Sequence, residues 1–474
     1  GGKRSIIMRK IILTIAAVAV VSSCSIYRKY QRPENVVPVD SLYRAELVSP
    51  ERDARAAEDS TSFGYMPWEE MFTDPHLQAL IRQGLDNNTD LLSAALRVQQ
   101  AQARLTASKW AYSPSLNLSP QVGYDYSLSK GNGAGSGSYS LGGAVSWDID
   151  LFGSLLNAKR GAQAALLQQE AYRQAVRSQL IATIANTYYS LLMLDEQVRV
   201  SEENVALWAE QIRSMESMLK VGRVNENAVT QYRAQLYGLE ASLADMKRQR
   251  QEAENALCSI LGSVYTKIER STIDEQTLPQ DFSVGVPLEL LSNRPDVYSA
   301  EMALASAYYS TNQARSAFYP KLTLSGSAGW TGAFGQAVSN PGGLIINALA
   351  QLAQPIFNKG QLTSNLRVAK AEEEIAKLTY KQTLLDAGEE VNNNLYALEI
   401  YDEMLRKHQS QLSDLERTVK TAESLYQWST KMTYLEVLTA RQSLLTAQLN
   451  VVSDKYYLLQ TTVNLYRSLG GGRQ

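Results

Sequence analysis

Two stretches constrain this chain more than any others. Residues 114–119 read Pro-Ser-Leu-Asn-Leu-Ser, and residues 320–325, 206 positions later, read Pro-Lys-Leu-Thr-Leu-Ser. The spacing recurs. Asn87-Asn88-Thr89-Asp90-Leu91 stands 206 before Asn293-Arg294-Pro295-Asp296-Val297, while Tyr172 and Tyr380, Tyr188 and Tyr396, Leu236 and Leu444, and Leu261-Gly262 and Leu469-Gly470 are each 208 apart. A near-constant offset across so many landmarks means two tandem copies of one unit. Each copy reads helix, strand, loop, strand, long helix, turn, helix.

Proline placement sets the helix lengths. An interior proline costs a helix about 3 kcal/mol, yet none of the 13 prolines falls between Pro120 and Pro279 and none follows Pro355. Such tracts, rich in Ala, Leu, Gln and Glu, predict very long helices. One runs from about Ser154 to Lys220, close to 100 Å at about 1.5 Å per residue. Val229, Tyr232, Leu236, Leu239, Leu243 and Met246 keep a 3,4 spacing, as do Leu191, Leu194, Val198, Val205, Trp208 and Ile212 with Ser201 in one slot. Sustained heptads signal coiled-coil packing. The last helix carries two stripes, one of them Val437, Leu444, Val451, Leu458 and Leu465. Apolar surface on two sides implies neighbours on two sides, as in a wall of helices; a closed soluble bundle would use similar stripes.

The strands alternate strictly. From 115 to 129 the even positions are Leu116, Leu118, Pro120, Val122, Tyr124, Tyr126 and Leu128, and the odd ones are small or polar. Residues 138–151 repeat this in odd register through Tyr139, Leu141, Val145, Trp147, Ile149 and Leu151, after the glycine-rich loop 130–137. In the second copy Leu322, Leu324, Ala328 and Trp330 follow suit, but Leu344-Ile345-Ile346 blurs the fourth strand. Period two with one polar face suits a half-buried sheet in water, or a membrane barrel with a wet lumen. The aromatic apolar face and strand lengths near ten residues favour the barrel. Four strands cannot close one, and open edges are forbidden in lipid, so other copies must supply the rest. Two copies give eight strands and a filled interior; three give twelve and room for a channel. On this reading Asp125, Asp148 and Asp150 face water, in the lumen or at its rim.

Met8-Arg9-Lys10, the apolar run Ile11 to Val21, and Val21-Ser22-Ser23-Cys24 look like an export signal too short to span a bilayer. The last four residues resemble a bacterial lipobox, in which the cysteine is acylated; an ordinary signal with an incidental cysteine fits as well. Cleavage before Cys24 removes Lys3, Arg4, Arg9 and Lys10, leaving 42 basic against 48 acidic residues. A net charge of −6 argues against a nucleic-acid partner. With Cys24 lipidated and Cys258 in a helical pattern, no intrachain disulfide framework exists.

The two histidines, His76 and His408, read as helix-surface residues, and Glu372-Glu373-Glu374 as a solvated face. Neither a phosphate loop nor a nucleophile motif occurs. No enzyme, cofactor or metal is therefore expected, beyond a covalent lipid on Cys24.

Cys24 with Tyr30, Pro33 and Pro38, then Trp68, Phe72, Asp74-Pro75, Leu77, Leu80-Ile81 and Asn88-Thr89-Asp90-Leu91, resemble the N-terminal signature of TolC/OprM-type outer-membrane efflux lipoproteins. Arg294-Pro295-Asp296-Val297, Gln354-Pro355-Ile356-Phe357 and Tyr434-Leu435-Glu436-Val437-Leu438 add to the resemblance. It implies a mainly α protein with a membrane β-barrel: a homotrimer whose twelve-stranded outer-membrane barrel continues into a twelve-helix periplasmic α-barrel. It further implies a passive exit duct among outer-membrane lipids, served by an inner-membrane efflux transporter through a periplasmic adaptor (membrane fusion) protein. A structural lipoprotein scaffold without channel activity is the alternative.

Residue by residue, the chain divides into a signal peptide at 1–23, an extended strap at 24–66, a first repeat at 67–264, a connecting segment at 265–286 and a second repeat at 287–470. Strands are expected at about 115–129, 138–151, 321–331 and 344–357. Helices are expected at about 154–220, 226–262, 360–427 and 433–468. Adaptor docking falls on the helical turns, at Val221, Gly222, Arg223 and Asn225 in the first and Ser429, Thr430 and Thr433 in the second. The family has glycine in both turns, but counting 208 from Gly222 reaches Thr430. Glycine caps a helix C-terminus in any case. The resemblance makes Glu436 a periplasmic gate residue, with Thr439 where a second acid is expected. Thr433-Tyr434-Leu435-Glu436 also fits a capping box.

Overall fold

The computed structural model describes residues 27–33, 36–37, 64, 66–129, 132–277, 294–333, 343–428 and 433–473. In chain order these form α1 (Trp68–Met71), α2 (Pro75–Asn87), α3 (Thr89–Trp110), β1 (Ser115–Ser129), β2 (Asn132–Ile149), α4 (Ser154–Lys220), α5 (Glu226–Ile260), a short 3₁₀ turn (Ile273–Glu275), α6 (Pro295–Ser316), β3 (Lys321–Ala333), β4 (Gly343–Ala353), α7 (Gln361–Trp428) and α8 (Tyr434–Ser468). The signal segment and Cys24 lie outside the described residues. So do most of the strap and the connecting segment beyond 277.

Two compact units divide the chain. Gly1–Glu34, Arg97–Glu170 and Ser299–Lys381 form the first; Asn35–Leu96, Ala171–Tyr298 and Gln382–Gln474 form the second. Each unit draws matching pieces from both tandem copies.

The first unit holds one antiparallel sheet in the order β1-β2-β3-β4. Leu116 stands opposite Val145, and Val122 opposite Tyr139. Leu141 then stands opposite Trp330, and Leu322 opposite Leu352. Directly paired residues share a face, so the even positions of β1, the odd of β2 and the even of β3 and β4 form one continuous apolar surface. Pairing also resolves the blurred strand: Leu344 and Ile346 join that surface opposite Trp330 and Ala328, while Ile345 falls on the other face opposite Gly329. β2 begins at Asn132 rather than near 138, because Gly133, Gly135 and Gly137 pair in register with Leu128, Tyr126 and Tyr124. The glycine run is therefore mostly strand. β4 ends at Ala353, leaving Ile356 and Phe357 beyond it and exposed. Below the sheet Ala101 and Leu105 of α3 pack on Leu166 of α4. Arg32 of the strap grips the buried Glu301 through two hydrogen bonds of 2.9 and 2.6 Å.

The second unit contains two helical hairpins, α4 with α5 and α7 with α8. Their seams carry the same ion pair twice, Arg233 with Glu216 and Arg441 with Glu423. Arg233 and Arg441 are 208 apart, but Glu216 and Glu423 only 207. The second long helix has thus lost one residue of register, and one extra residue between Glu423 and Thr433 restores it, since Asn225 and Thr433 both cap the following helix. Between the repeats, α4 meets α8 through a ladder of polar pairs: Asn186 with Asn464 at 2.9 Å, Gln197 with Ser453 at 3.1 Å and Asn204 with Gln448 at 3.2 Å. Polar residues in a helical seam favour one register over slipped ones at some cost in stability.

The main apolar core seats Trp68, Phe72, Leu77 and Ile81 against Ile184 and Tyr188 of α4, Leu257 of α5 and Tyr466 of α8. Each such buried side chain contributes about 1.5–3 kcal/mol. Corresponding clamps close both repeats. Asn88 donates to the Ile260 carbonyl at 2.9 Å, and Arg294, 206 residues on, donates to the Ser468 carbonyl at 2.9 Å. Helix C-termini leave carbonyls unpaired, and these two residues satisfy one at the same place in each copy.

Candidate functional site

The first helical turn is complete in the structure. α4 ends in a Schellman motif, in which Gly222 donates its amide to the Leu219 carbonyl at 3.0 Å and Arg223 donates to Met218 at 2.9 Å. Gly222 has φ +74°, yet a Cβ there would touch nothing within 4 Å. Backbone conformation, not crowding, requires the glycine. Asn225 then caps α5, its Oδ1 accepting from the Ala228 amide at 3.0 Å. Val224 turns inward onto a core of Trp208, Met215, Tyr232 and Leu438. Val221, Gly222, Arg223 and Asn225 all stand exposed, with Val221 at 71%. A rigid knob of main chain thus presents one cation and one apolar side chain to solvent.

Of the second turn, Ser429 and Thr430 lie outside the described residues. Thr433 is the N-cap of α8, and the capping box is formed. Glu436 Oε2 accepts from the Thr433 amide at 2.7 Å and from its hydroxyl at 2.8 Å. These bonds hold the Glu436 carboxyl below its ordinary pKa, amide first and hydroxyl second. The carboxylate remains exposed and charged, so capping does not consume it.

The sheet supplies the second part of the site. Its apolar face exposes Leu116, Leu118, Val122 and Tyr124 on β1 at 67–78%, with Trp147 and Trp330 further across. The opposite face carries Ser119, Gly142, Gly329 and Ile345 in one row and Asn117, Ala144, Ser327 and Asn347 in the next. Most side chains on that face are short or polar, Ile345 and Leu349 of β4 being its large apolar members. Asp148 sits on it and accepts from Thr323 at 2.7 Å. Asp150 does not: β2 ends at Ile149, and Asp150 instead accepts from the Leu156 amide at 2.7 Å, at the start of α4.

Several buried polar networks had no role assigned from sequence. Asp74 caps α2 through the His76 amide at 2.8 Å, while its other oxygen accepts from Tyr188 at 2.6 Å, from Ser271 and from Gln276 at 3.0 Å. Burial pushes its pKa up, but the bonds from Ser271, Tyr188, Gln276 and His76 outweigh burial and hold it below the usual carboxylate range. Arg294 forks onto Asp296 at 3.1 and 2.7 Å and reaches Glu390 at 2.9 Å. His408 is not a free surface residue: its Nδ1 lies 2.5 Å from Asp454 Oδ2, across the second hairpin. The partner is 46 positions away, so local spacing carried no sign of it.

A two-faced sheet with open edges joined to long paired helices describes a chain built to share a wall. The family profile described as outer membrane efflux protein matches residues 80–263 and 286–471, one block per repeat. The chain belongs to the outer membrane efflux protein family. It is 28% identical to the probable outer membrane lipoprotein SilC of Salmonella typhimurium, over 97% of this chain and 98% of that protein. The pyoverdine export outer membrane protein OpmQ of Pseudomonas aeruginosa is 30% identical, over 88% of this chain and 90% of its own length. A crystal structure of CusC, from work on folding and transmembrane channel formation, superposes with a TM-score of 0.81 at 28% identity, covering 94% of this chain and all of that one. The fold is therefore that of the trimeric outer-membrane channels, β-barrel and α-barrel together, assembled from a tandem repeat. Membership places this efflux protein in the outer membrane, in a family of channels rather than enzymes, and sets aside the scaffold alternative.

Proposed function

We propose that this outer membrane efflux protein is a passive homotrimeric exit duct, receiving cargo from an inner-membrane transporter through a periplasmic adaptor and catalysing no reaction. The observation that carries the reading is the sheet, apolar on one face, mostly small or polar on the other, and with both edge strands unpaired among the described residues. Three copies supply twelve strands, enough to enclose water.

Further assignments follow. Cys24 carries the lipid anchor, consistent with the lipobox-like Val21-Ser22-Ser23-Cys24 and with a relative named as a lipoprotein. Ser25 lacks the acidic character that retains some lipoproteins in the inner membrane. An unmodified N-terminus in the intact mass of mature protein would refute this. The turns at Val221–Asn225 and Ser429–Thr433 dock the adaptor, and a ring of three Glu436 carboxylates narrows the periplasmic entrance. OpmQ is named for pyoverdine export and the Escherichia coli K12 relative, 28% identical, for cation efflux. Cargo so dissimilar at similar identity argues that the transporter selects it.

Purified trimer in planar bilayers tests the central claim. Stepwise ohmic conductance is expected; a detergent-soluble trimer that never conducts would overturn it.

A further inference from the structure

A groove of about 400 Å³ lies between α3 and α4, inside the first unit and apart from the turns and the helix cap. Arg97, Gln100 and Arg104 of α3 form one wall, and Gln168 and Gln169 of α4 form the other. The small side chains of Ala101 and Ala165 leave room between them. We infer that this groove is a lumenal binding site for elongated organic anions that carry a carboxylate or phosphate group at each end. The inference rests on the exit duct proposed above.

Charge and spacing define the ligand. Arg97 and Arg104 are seven residues apart, two helical turns, so they leave the same face of α3 about 10 Å from each other. They are the only charged residues of α3 between Asp90 and Lys109, and α4 has no acid before Glu170. Among the described residues no carboxylate lines the groove. A guanidinium is a planar fork that takes two oxygens of a carboxylate or phosphate at once. The glutamine amides beside the forks both donate and accept, which suits the polar middle of such a molecule. A face that only carries water needs none of this. Here Arg97, Gln100 and Arg104 are exposed around Ala101, which is 5% exposed, so the charges stand over a recess.

Helix geometry decides on which side of the wall the groove opens. On α4, Ala162 packs toward α3, while the carbonyls of Gly161 and Gln168 accept from Ser306 and Ser299 of α6 at 3.4 and 3.2 Å. On α6 the strap occupies one side, with Arg32 on Glu301 at 2.6 Å and the Tyr30 amide donating to the Tyr309 hydroxyl at 3.1 Å. With about 100° between successive residues in these antiparallel helices, Ala165 and Gln169 project on the side away from the strap. A strap that runs from Cys24 lies outside the tunnel, where its lipid reaches the membrane. The groove therefore opens on the lumen. One groove per copy puts a ring of six guanidiniums around the duct, which favours anions at this level, whereas the Glu436 carboxylates favour cations at the entrance.

Titration calorimetry of the detergent-solubilised trimer with sebacate, a ten-carbon dicarboxylate, tests the site, and malonate serves as a dicarboxylate too short to reach both arginines. Sebacate should bind three to a trimer and at least tenfold tighter than malonate. Arg97→Gln with Arg104→Gln should weaken sebacate at least tenfold and, in planar bilayers under a potassium chloride gradient, shift the reversal potential toward cations. Arg97→Lys with Arg104→Lys keeps the charge but not the fork, so its sebacate affinity should fall between those of the original chain and the glutamine pair, with a smaller shift in potential. Unchanged sebacate binding in the glutamine pair would overturn the site, and an unshifted reversal potential would overturn its place in the lumen. Loss of trimer in the glutamine pair, with the lysine pair still trimeric, would mean that the arginines hold acids of a neighbouring copy, and would overturn the site as well. A trimer that binds sebacate through these arginines yet passes no current would overturn the duct and uphold the binding site.

Discussion

Arginine at Val122 tests the assignment of the sheet faces. Val122 is the central residue of β1, is 76% exposed in the single chain, and stands opposite Tyr139 within the apolar face. Gln121, its neighbour, points to the other face and stands opposite Ser140. In a membrane barrel an outward arginine at the bilayer midplane costs about 2–4 kcal/mol, falling to about 0–1 near the interfaces. At about 1.4 kcal/mol per tenfold, Val122→Arg should lower the folding equilibrium roughly 30- to 900-fold per chain. Position within the strand refines the expectation for the other apolar site. Val145 pairs with Leu116, the second residue of β1, so Val145→Arg sits near a strand end and should cost less than Val122→Arg. Gln121→Arg should cost little, because its face is wet. The assay is denaturant unfolding of trimer reconstituted in lipid vesicles, followed by the heat-modifiable shift on gels. Equal losses at 121 and 122, or a larger loss at 121, would refute the faces.

Three other outcomes are expected. Glu436→Gln keeps an acceptor for the Thr433 amide but removes three charges from the entrance, so cation preference and multivalent-cation block in bilayer recordings should fall with thermal stability nearly unchanged; an unchanged ion preference would leave Glu436 as a helix cap alone. Arg223→Trp alters an exposed side chain while its backbone amide still closes α4, so efflux in cells should fall at undiminished trimer level, and normal efflux would count against docking there. Asp74 has its pKa lowered in the fold, so its contribution is present above the unfolded carboxylate value near 4 and lost as pH falls through the lower folded value. Asp74→Asn should destabilise by about 1–3 kcal/mol at pH 7 and flatten the melting temperature between pH 5 and 3, measured by circular dichroism; an unchanged acid profile would exclude the network as its source.

The amino-acid sequence alone determined the tandem architecture, the long helices and the two-faced strands, because each rests on local periodicity: prolines excluded from helix interiors, heptads along them, alternation along β1. The Thr433–Glu436 capping box was legible for the same reason, being a bond across three residues. Contacts distant in the chain were not. Leu344-Ile345-Ile346 is apolar at every position, and pairing with Ala328 and Gly329 decided which side chains join the apolar face. Glycines 133, 135 and 137 read as loop because glycine is a poor strand former, and partners on β1 made them strand. Constant counting by 208 missed the residue lost along α7, which the paired Arg233–Glu216 and Arg441–Glu423 bridges reveal. Asp74, Arg294 and His408 acquire their roles from partners up to 202 residues away, and no local pattern records such a partner. Periodicity states which side of an element is apolar; packing alone states what that side meets.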